Sequence, residues 1–260
     1  VLAPWTYTPG VILTCAVPLF FMVSGYLAQL SSSTRTQPFK HFLGHRARRI
    51  VLPMVLWSVG YLMLMHFLMG WPLFTSKSLW YLMTGFFHLW FLFVLFQLFV
   101  VHKLLAGWLE GRGALWAIVV AICIGLAWYT LSSILLARTG DDQHFFEWHW
   151  GKLFLGWAVF YFWGVYLASA PAVVPWLRRN VFWLLLAVFA SFALFFVNFK
   201  LEIETYGNLV RHYFLISGLP FQILAASLIL VLCMIWEDRA GKIFKVVANL
   251  GKDTFGIYLI

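Results

Sequence analysis

Long apolar runs, each about as long as a bilayer-crossing helix, recur along the whole chain. A helix needs roughly 20 residues to cross the hydrocarbon core. Runs of about that length lie near residues 10–30, 50–70, 88–106, 114–136, 151–169, 181–199 and 214–236, and another begins near Asp253. Backbone amides in lipid must be hydrogen-bonded internally, and strand alternation is absent from the sequence. The pattern therefore predicts an all-α, polytopic transmembrane helix bundle with seven complete spans and the start of an eighth.

The composition is that of a membrane protein rather than a soluble one. Hydrophobic residues make up 63% of the chain and charged residues only 10%, against roughly 25% charged residues in soluble domains. A soluble fold of 260 residues could not cover its surface with so few charges, whereas lipid removes that need. We interpret residues 1–260 as one transmembrane domain. Because Val1 is not a methionine and Ile260 lies inside an apolar run, we expect this domain to be truncated at both ends.

The loops between the apolar runs alternate in positive charge. One set of loops holds Arg35, Lys40, Arg46, Arg48, Arg49, Lys103, Arg112, Arg178, Arg179, Arg239, Lys242, Lys245 and Lys252. The other set holds only Lys77, Arg138, Lys152, Lys200 and Arg211. The positive-inside rule places the first set in the cytoplasm, so the first span runs from outside to inside. The net charge of +9 is divided among short loops rather than gathered in one patch, so we do not expect a nucleic-acid partner.

A basic cluster, His45-Arg46-Ala47-Arg48-Arg49, stands immediately before the second apolar run. Arg46 and Arg49 are three positions apart, so on a helix they share a face. Two guanidinium groups at the membrane edge are suited to a phosphate-bearing ligand, because arginine forms bidentate hydrogen bonds with phosphate. The alternative is that the cluster anchors the helix and contacts lipid headgroups. On composition alone this second interpretation is favoured.

Two short segments inside the apolar runs carry polar or helix-perturbing residues. In the segment 17–26, Pro18 should loosen the helix, and Ser24-Gly25 lets another backbone approach closely, so helix packing is the simpler interpretation. His88 stands two positions before Trp90 at the outer start of the third run. It is either an interfacial anchor or a group that orients and polarises a substrate hydroxyl.

Other polar residues in the apolar runs are His66, Gln97 and Gln222. Such residues are functional candidates, although structural hydrogen bonds explain many of them. The predicted topology places His66, His88 and Gln222 in the outer half of the membrane and the arginines at its inner edge. This order suggests a path with an anionic ligand entering from the cytoplasm and a polar acceptor from outside. The three cysteines fall in different apolar runs without metal-ligand spacing, so no metal site is expected.

Four segments, in this order, resemble the bacterial membrane acyltransferase-3 family. They are VPLFFMVSGY at 17–26, RARR at 46–49 followed by Ile50 and Pro53, HLWFL at 88–92, and NLGKDTFGIYLI at 249–260. Each motif alone is weakly specific, and the signal lies in their order and membrane depth. The resemblance spans nearly the whole chain, but between residues 107 and 248 it consists only of the pattern of spans.

Members of this family transfer an acyl group, often acetyl or succinyl, from cytoplasmic acyl-CoA to a hydroxyl of a surface or periplasmic glycan. The resemblance implies an O-acyltransferase of the bacterial inner membrane, with acyl-CoA, a glycan or lipid-linked saccharide, and membrane lipids as partners and no tightly bound cofactor. It implies that Arg46 and Arg49, with Arg48 beside them, bind the phosphates of CoA. The residues that we expect to pack around or line the site are Phe21, Ser24, Gly25, His66, Trp90 and Gln222.

The sequence departs from the family pattern at its start. The family has about ten spans, and its first span carries the histidine expected to be the catalytic base, which removes the proton of the acceptor hydroxyl. That span would precede Val1, so we expect the main base upstream of this chain or an inactive form. His88 is the candidate catalytic residue within the chain, although the resemblance does not assign it as the base.

Two other functional classes use the same features. A transporter or flippase for a glycan or lipid-linked sugar would use the polar residues as a path without covalent chemistry, and weak symmetry between the halves of the sequence would favour it. No internal repeat is visible. A non-enzymatic membrane scaffold would explain a chain that lacks the base, but not the ordering of polar residues by depth.

Overall fold

The computed structural model describes residues 15–31, 36–86, 89–139, 150–206 and 216–237, and these residues form helices and connecting turns without a β-strand. The helices, numbered in chain order, are α1 (Ala16–Leu30), α2 (Phe39–Arg46), α3 (Leu52–Met69), α4 (Ser76–Thr84), α5 (Trp90–Leu105), α6 (Arg112–Thr139), α7 (Ala158–Ser169), α8 (Val173–Arg179), α9 (Val181–Tyr206) and α10 (Gly218–Glu237). A π-helical turn, Ala47–Val51, joins α2 to α3. The predicted all-α fold class is thereby confirmed.

Four continuous helices in the described part of the chain are long and apolar enough to cross a membrane. They are Phe39–Met69, Arg112–Ser132, Val181–Leu201 and Gly218–Glu237. The pair α7 and α8 qualifies as a fifth only if its 96° bend is counted within one span, and α1 and α5 are shorter apolar helices. The number of seven complete spans therefore stays a prediction. The predicted start of an eighth near Asp253 lies outside the described residues.

Exposed apolar side chains identify the lipid-facing helices. On α9, the rings of Phe182, Trp183 and Phe189 are exposed, and the helix is among the most apolar of the chain. A soluble protein rarely exposes an apolar surface of this extent. In a bilayer the same surface is solvated by lipid chains, which agrees with the membrane class predicted from composition.

The helix that carries the basic cluster is longer than predicted. Residues Phe39–Met69 form one 31-residue helical segment, about 46 Å long at 1.5 Å per residue. The hydrocarbon core is about 30 Å thick, so the polar first ten residues or so extend beyond the apolar span that begins near Ile50. The basic residues thus continue the helix of the span rather than forming a loop before it.

The predicted span at 151–169 also differs in detail, because its first part is not α-helical. Two short 3₁₀ turns, Trp150–Lys152 and Phe154–Gly156, precede α7. The Trp157 indole donates to the Gly151 carbonyl at 2.8 Å and the Tyr129 hydroxyl donates to the Gly156 carbonyl at 3.0 Å. In an α-helix these two carbonyls would accept hydrogen bonds from backbone N–H groups. Here the two side chains donate to them instead, so the irregular backbone can be buried without unpaired carbonyls.

The chain divides into two compact units, of which the first comprises residues 1–31 and 106–235. Its centre is a close crossing of α1 and α7 at two facing glycines. A Cβ added to Gly25 would collide with the Tyr161 carbonyl, and one added to Gly164 would collide with the Met22 carbonyl. Tyr161 lies three residues before Gly164, and Met22 lies three residues before Gly25, so each glycine faces the helix turn that precedes the other glycine. Only residues without a side chain let two helix backbones approach this closely.

Contacts at the two ends of this crossing show that α1 and α7 run parallel. Near their starts, the rings of Phe21 and Trp157 lie 5.5 Å apart. Near their ends, the amide Nε2 of Gln29 donates to the Ser169 hydroxyl at 3.0 Å and to the Leu109 carbonyl at 3.1 Å. This is the relative direction that the predicted alternation gives to the first and fifth spans.

The second unit comprises residues 32–105 and 236–260. In its described part, α3 and α4 pack together, and α5 packs against α2 and the π-helical turn. The rings of Phe42 on α2 and Phe99 on α5 are almost fully buried. The basic cluster therefore lies where the start of one long helix meets the end of another.

Candidate functional site

The basic cluster contains a local change of helix type. Arg46 ends α2, and Arg48 and Arg49 lie within the π-helical turn Ala47–Val51. Short π-helical turns inside α-helices are rare and occur frequently at functional sites. The predicted shared face of Arg46 and Arg49 assumes α-helical spacing. A π turn has more residues per turn than an α-helix, so the angle between these two side chains differs from the α-helical one.

Arg46 is held between two aromatic rings. Its guanidinium carbon Cζ lies 4.3 Å from the centre of the Phe99 ring and 5.4 Å from the centre of the Phe42 ring. Phe42 is four positions earlier on the same helix, so its side chain falls on the same face. A cation near an aromatic face gains electrostatic stabilisation that increases when water is excluded. The guanidinium is half-buried beside these two rings.

Lys103, in the last turn of α5, approaches the same ring. Its Nζ lies 5.8 Å from the centre of the Phe42 ring. A cation in the last turn of a helix interacts favourably with the partial negative charge of the helix C-terminus. The ring of Phe42 therefore brings together one cation from α2 and one from α5.

The segment that supplies these cations contains no carboxylate. The first acidic residue of the entire chain is Glu110, so the sequence segment 32–105 holds Arg46, Arg48, Arg49 and Lys103 and no aspartate or glutamate. The exposed His45 lies in this segment, outside the apolar span. The nearby Arg49 lowers the pKa of His45, with Arg46 and His41 adding to the effect. The basic cluster therefore carries several positive charges, which are suited to an anion.

The predicted donor-binding arginines have different surroundings. Arg46 is half-buried against the two rings, whereas Arg48 and Arg49 are exposed. The structure thus distinguishes one half-buried guanidinium beside two rings from two exposed guanidinium groups. The binding of an anion by Arg46, Arg48 and Arg49 together stays a prediction.

His66 lies far from the basic cluster, near the other end of the same helical segment. It is 20 positions after Arg46, which is about 30 Å along a helix. Its Nδ1 is 2.8 Å from the Trp71 carbonyl. Since a carbonyl only accepts, Nδ1 is the donor of this hydrogen bond. His66 and Arg46 are therefore too far apart to contact the same small group. The His66 side chain instead bonds to the Trp71 carbonyl, just beyond the end of α3.

The turn that leads to α5 is held by Ser58 and Gly85. The Ser58 hydroxyl, fully buried on α3, accepts from the Phe86 backbone N–H at 3.1 Å. Gly85 has φ +89°, and a Cβ there would lie 2.6 Å from the Leu89 carbonyl carbon. Trp90, half-buried, begins α5. His88 lies outside the described residues, so its catalytic role stays a prediction.

The other predicted site residues belong to the first unit. Phe21 is fully buried against Trp157, and Gly25 faces α7 as described above, while Ser24 is half-buried. Gln222 on α10 is fully buried, and neither of its amide atoms has a hydrogen-bond partner among the described residues. No group of three His, Cys, Asp or Glu within the described ranges could share a metal ion.

Sequence reasoning missed Phe42, Phe99 and Lys103 as parts of the basic site. Phe42 could have been found from its spacing of four residues before Arg46, which puts both side chains on one helix face. The absence of carboxylates before Glu110 was also visible in the sequence. The contributions of Phe99 and Lys103 depend on the packing of α5 against α2, which no local pattern predicts.

Comparison with known proteins identifies the family. The sequence profile of the acyltransferase-3 family, described as an acyltransferase domain, matches residues 2–260. No curated protein and no solved structure matches the chain. The profile covers nearly the whole chain and confirms the family indicated by the four short motifs. The chain therefore belongs to the acyltransferase-3 family and is a multi-pass membrane acyltransferase.

Proposed function

We propose that the protein is an O-acyltransferase that takes an acetyl or succinyl group from cytoplasmic acyl-CoA and transfers it to a hydroxyl of a cell-surface or periplasmic glycan. The observation that supports the donor is the basic cluster, where the guanidinium of Arg46 lies near the rings of Phe42 and Phe99 and two exposed arginines follow it. CoA presents phosphate groups, and arginine is the residue best suited to bind them.

The chemistry is a transfer between two nucleophiles. The oxygen of the acceptor hydroxyl attacks the carbonyl carbon of the thioester, and a base removes the hydroxyl proton. The C–S bond then breaks, and the CoA sulfur leaves and takes up a proton, so that an ester and free CoA are the products. The arginines hold the phosphate end of the donor and do not take part in bond making. This positioning keeps the thioester near the acceptor for the attack.

The placement of the two substrates follows from the distribution of charge. The basic segments, including the one that holds Arg46, Arg48 and Arg49, belong to the set that the positive-inside rule assigns to the cytoplasm of a bacterial inner membrane. Acyl-CoA is a cytoplasmic anion, so it would meet these residues first. The acceptor glycan or lipid-linked saccharide would approach the outer side, where His88 is the candidate to orient its hydroxyl.

The test follows the acyl group. Membranes containing the complete gene product are incubated with acetyl-CoA radiolabelled in the acetyl group, and the label in surface glycan is measured. We expect incorporation that is lost in Arg46→Ala/Arg49→Ala and kept in Lys40→Ala, an exposed cation of the same segment. If folded wild-type protein transfers nothing from acetyl-CoA or succinyl-CoA, the proposal fails and a glycan transporter becomes the better explanation.

A further inference from the structure

We infer that Ser217 and Gln222, where α10 begins, form a subsite for the hydroxyl groups of the acceptor saccharide. The inference rests on the proposed function, because it assigns residues to the acceptor side of the same reaction. Both residues belong to the first unit, whereas the basic cluster belongs to the second. The acceptor and the donor are therefore expected to depend on different sets of residues.

Buried polar groups without hydrogen bonds are the first support for the subsite. The side chain of Gln222 is fully buried, and its Nε2 and Oε1 have no hydrogen-bond partner among the described residues. The Oγ of Ser217 is also buried and has no such partner within the described ranges. A buried amide or hydroxyl that makes no hydrogen bond carries an uncompensated desolvation cost. A ligand that bonds both groups would remove this cost.

Another serine of α10 shows how helix packing satisfies a buried polar group. The hydroxyl of Ser227 donates to the Ile223 carbonyl at 2.8 Å and accepts from the Trp163 indole Nε1 at 2.8 Å. Packing within the first unit thus uses this hydroxyl both as a donor and as an acceptor. Gln222 lies only five positions before Ser227 on the same helix, yet its amide is not used in this way. Helix packing therefore explains Ser227 and does not explain Gln222.

The helical position of Gln222 places it on the interior face of α10. Residues three and four positions further along a helix share its face, and these are Ala225 and Ala226. Ala225 belongs to a buried apolar cluster with Phe195 of α9, and Ala226 belongs to another with Met22 of α1. Apolar side chains offer no hydrogen bonds to an amide. The partner of this amide is therefore expected to come from a ligand.

The chemistry of the two side chains favours a neutral ligand that carries several hydroxyl groups. The Gln222 amide donates through Nε2 and accepts through Oε1, and the Ser217 hydroxyl does both. A saccharide hydroxyl also donates and accepts, so it matches either group. Five positions along a helix correspond to about 7.5 Å, so hydroxyls of one saccharide can reach both side chains. The predicted topology places the start of α10 on the outer side, from which the acceptor would approach.

Two simpler explanations lead to different expectations. An ordered water molecule would satisfy Gln222 and Ser217, in which case their replacement would leave the kinetics of both substrates unchanged. The pantetheine arm of acyl-CoA carries amide groups that would also bond a glutamine. In that case replacement of Gln222 would weaken the donor instead of the acceptor. Separate measurements on the two substrates therefore distinguish the three explanations.

The experiment measures both substrates with the complete gene product. The acceptor probe is surface glycan extracted from the cells that make the protein and freed of O-acyl groups with mild alkali. We expect Gln222→Leu to raise the KM for this glycan about fivefold, equivalent to about 1 kcal/mol, and Ser217→Ala to raise it about threefold. The KM for acyl-CoA should stay within about twofold of wild type in both variants. If Gln222→Leu does not fold, Gln222→Met is measured by the same criterion.

Ser227→Ala is the matched control, because it removes a buried hydroxyl of the same helix that packing already uses. It should lower the thermal midpoint, since the Trp163 indole loses its acceptor. The KM for the glycan should stay within about twofold of wild type. The control thus shows the opposite pattern to Ser217→Ala, which should change the glycan KM and leave the thermal midpoint unchanged.

The results separate the subsite from the proposed function. A folded Gln222→Leu or Ser217→Ala variant whose glycan KM stays within about twofold of wild type, or whose acyl-CoA KM rises instead, overturns the subsite even if wild-type protein transfers acyl groups. Glycan binding is also measured without turnover, as the rise in thermal midpoint that the glycan produces. A rise that is seen in wild type and lost in both variants supports the subsite, even in a protein that transfers no acyl group and for which the proposed function fails.

Discussion

The two units of the molecule use their special residues for different purposes. In the first unit, Gly25 and Gly164 allow α1 and α7 to touch along their backbones, and Gln29 ties the ends of these helices together. In the second unit, the unusual feature is the pair of cations, Arg46 and Lys103, near the ring of Phe42. The difference indicates that substitutions at the glycine crossing act on folding, whereas substitutions in the basic site act on ligand binding.

The largest effect is expected at the glycine crossing. Gly25→Val or Gly164→Val places side-chain atoms where the opposite helix has its backbone, and the backbone cannot move aside cheaply. We expect a loss of more than about 3 kcal/mol of stability, at the upper end for overpacked sites. Folded protein should be nearly absent from detergent extracts analysed by size-exclusion chromatography. Gly60→Val in α3, where a Cβ meets nothing within 4 Å, is the control, and equal yields from all three variants would refute the crossing.

The next largest effect is expected at His88. Its replacement is expected to change the rate of acyl transfer, in contrast to the glycine substitutions, which act on folding. If His88 orients or polarises the acceptor hydroxyl, His88→Ala should lower kcat about a hundredfold, the lower range for acid–base groups. His41→Ala, an exposed histidine of the basic segment, should change kcat by less than about twofold. Acyl transfer rates measured with both variants decide the matter, and similar rates would mean that His88 is an interfacial anchor.

The arginine pair should show the opposite pattern to the glycines, with a large effect on the donor and a small one on folding. We expect Arg46→Ala/Arg49→Ala to raise the KM for acyl-CoA about thirtyfold, or about 2 kcal/mol. The loss of the Arg46 contacts with Phe42 and Phe99 should lower stability by only about 1 kcal/mol. Donor kinetics and thermal unfolding are measured on the same preparations. An unchanged KM with an unchanged kcat would show that this cluster does not bind the donor.

The sequence predicted the helical class, the approximate positions of the apolar helices and the glycine-containing contact segment at 17–26, because these depend on local composition and periodicity. It did not predict that Phe39–Met69 is one helix, since the polar start of that segment is continued by a π-helical turn. Nor did it predict the irregular backbone before α7, which depends on donors from Tyr129 and Trp157. The pairing of Arg46 with Phe99 required the tertiary contact between α2 and α5.

The smallest effect is expected at two buried glutamines of the first unit. Gln29 donates to Leu109 and Ser169, whereas both amide atoms of Gln222 are without a partner among the described residues. Replacing a bonded group leaves buried acceptors unsatisfied and costs about 1–3 kcal/mol, whereas replacing an unbonded one removes a desolvation cost. Gln29→Leu should therefore lower the thermal midpoint, and Gln222→Leu should leave it unchanged or raise it slightly.

Activity measurements on the same two variants then distinguish packing from function. If Gln222 hydrogen-bonds the acceptor, Gln222→Leu should raise the acceptor KM several-fold, about 1 kcal/mol, while the protein remains at least as stable as wild type. A stable Gln222→Leu variant with wild-type acceptor kinetics would remove Gln222 from the site. A marked loss of stability would instead reveal a structural hydrogen bond of its amide.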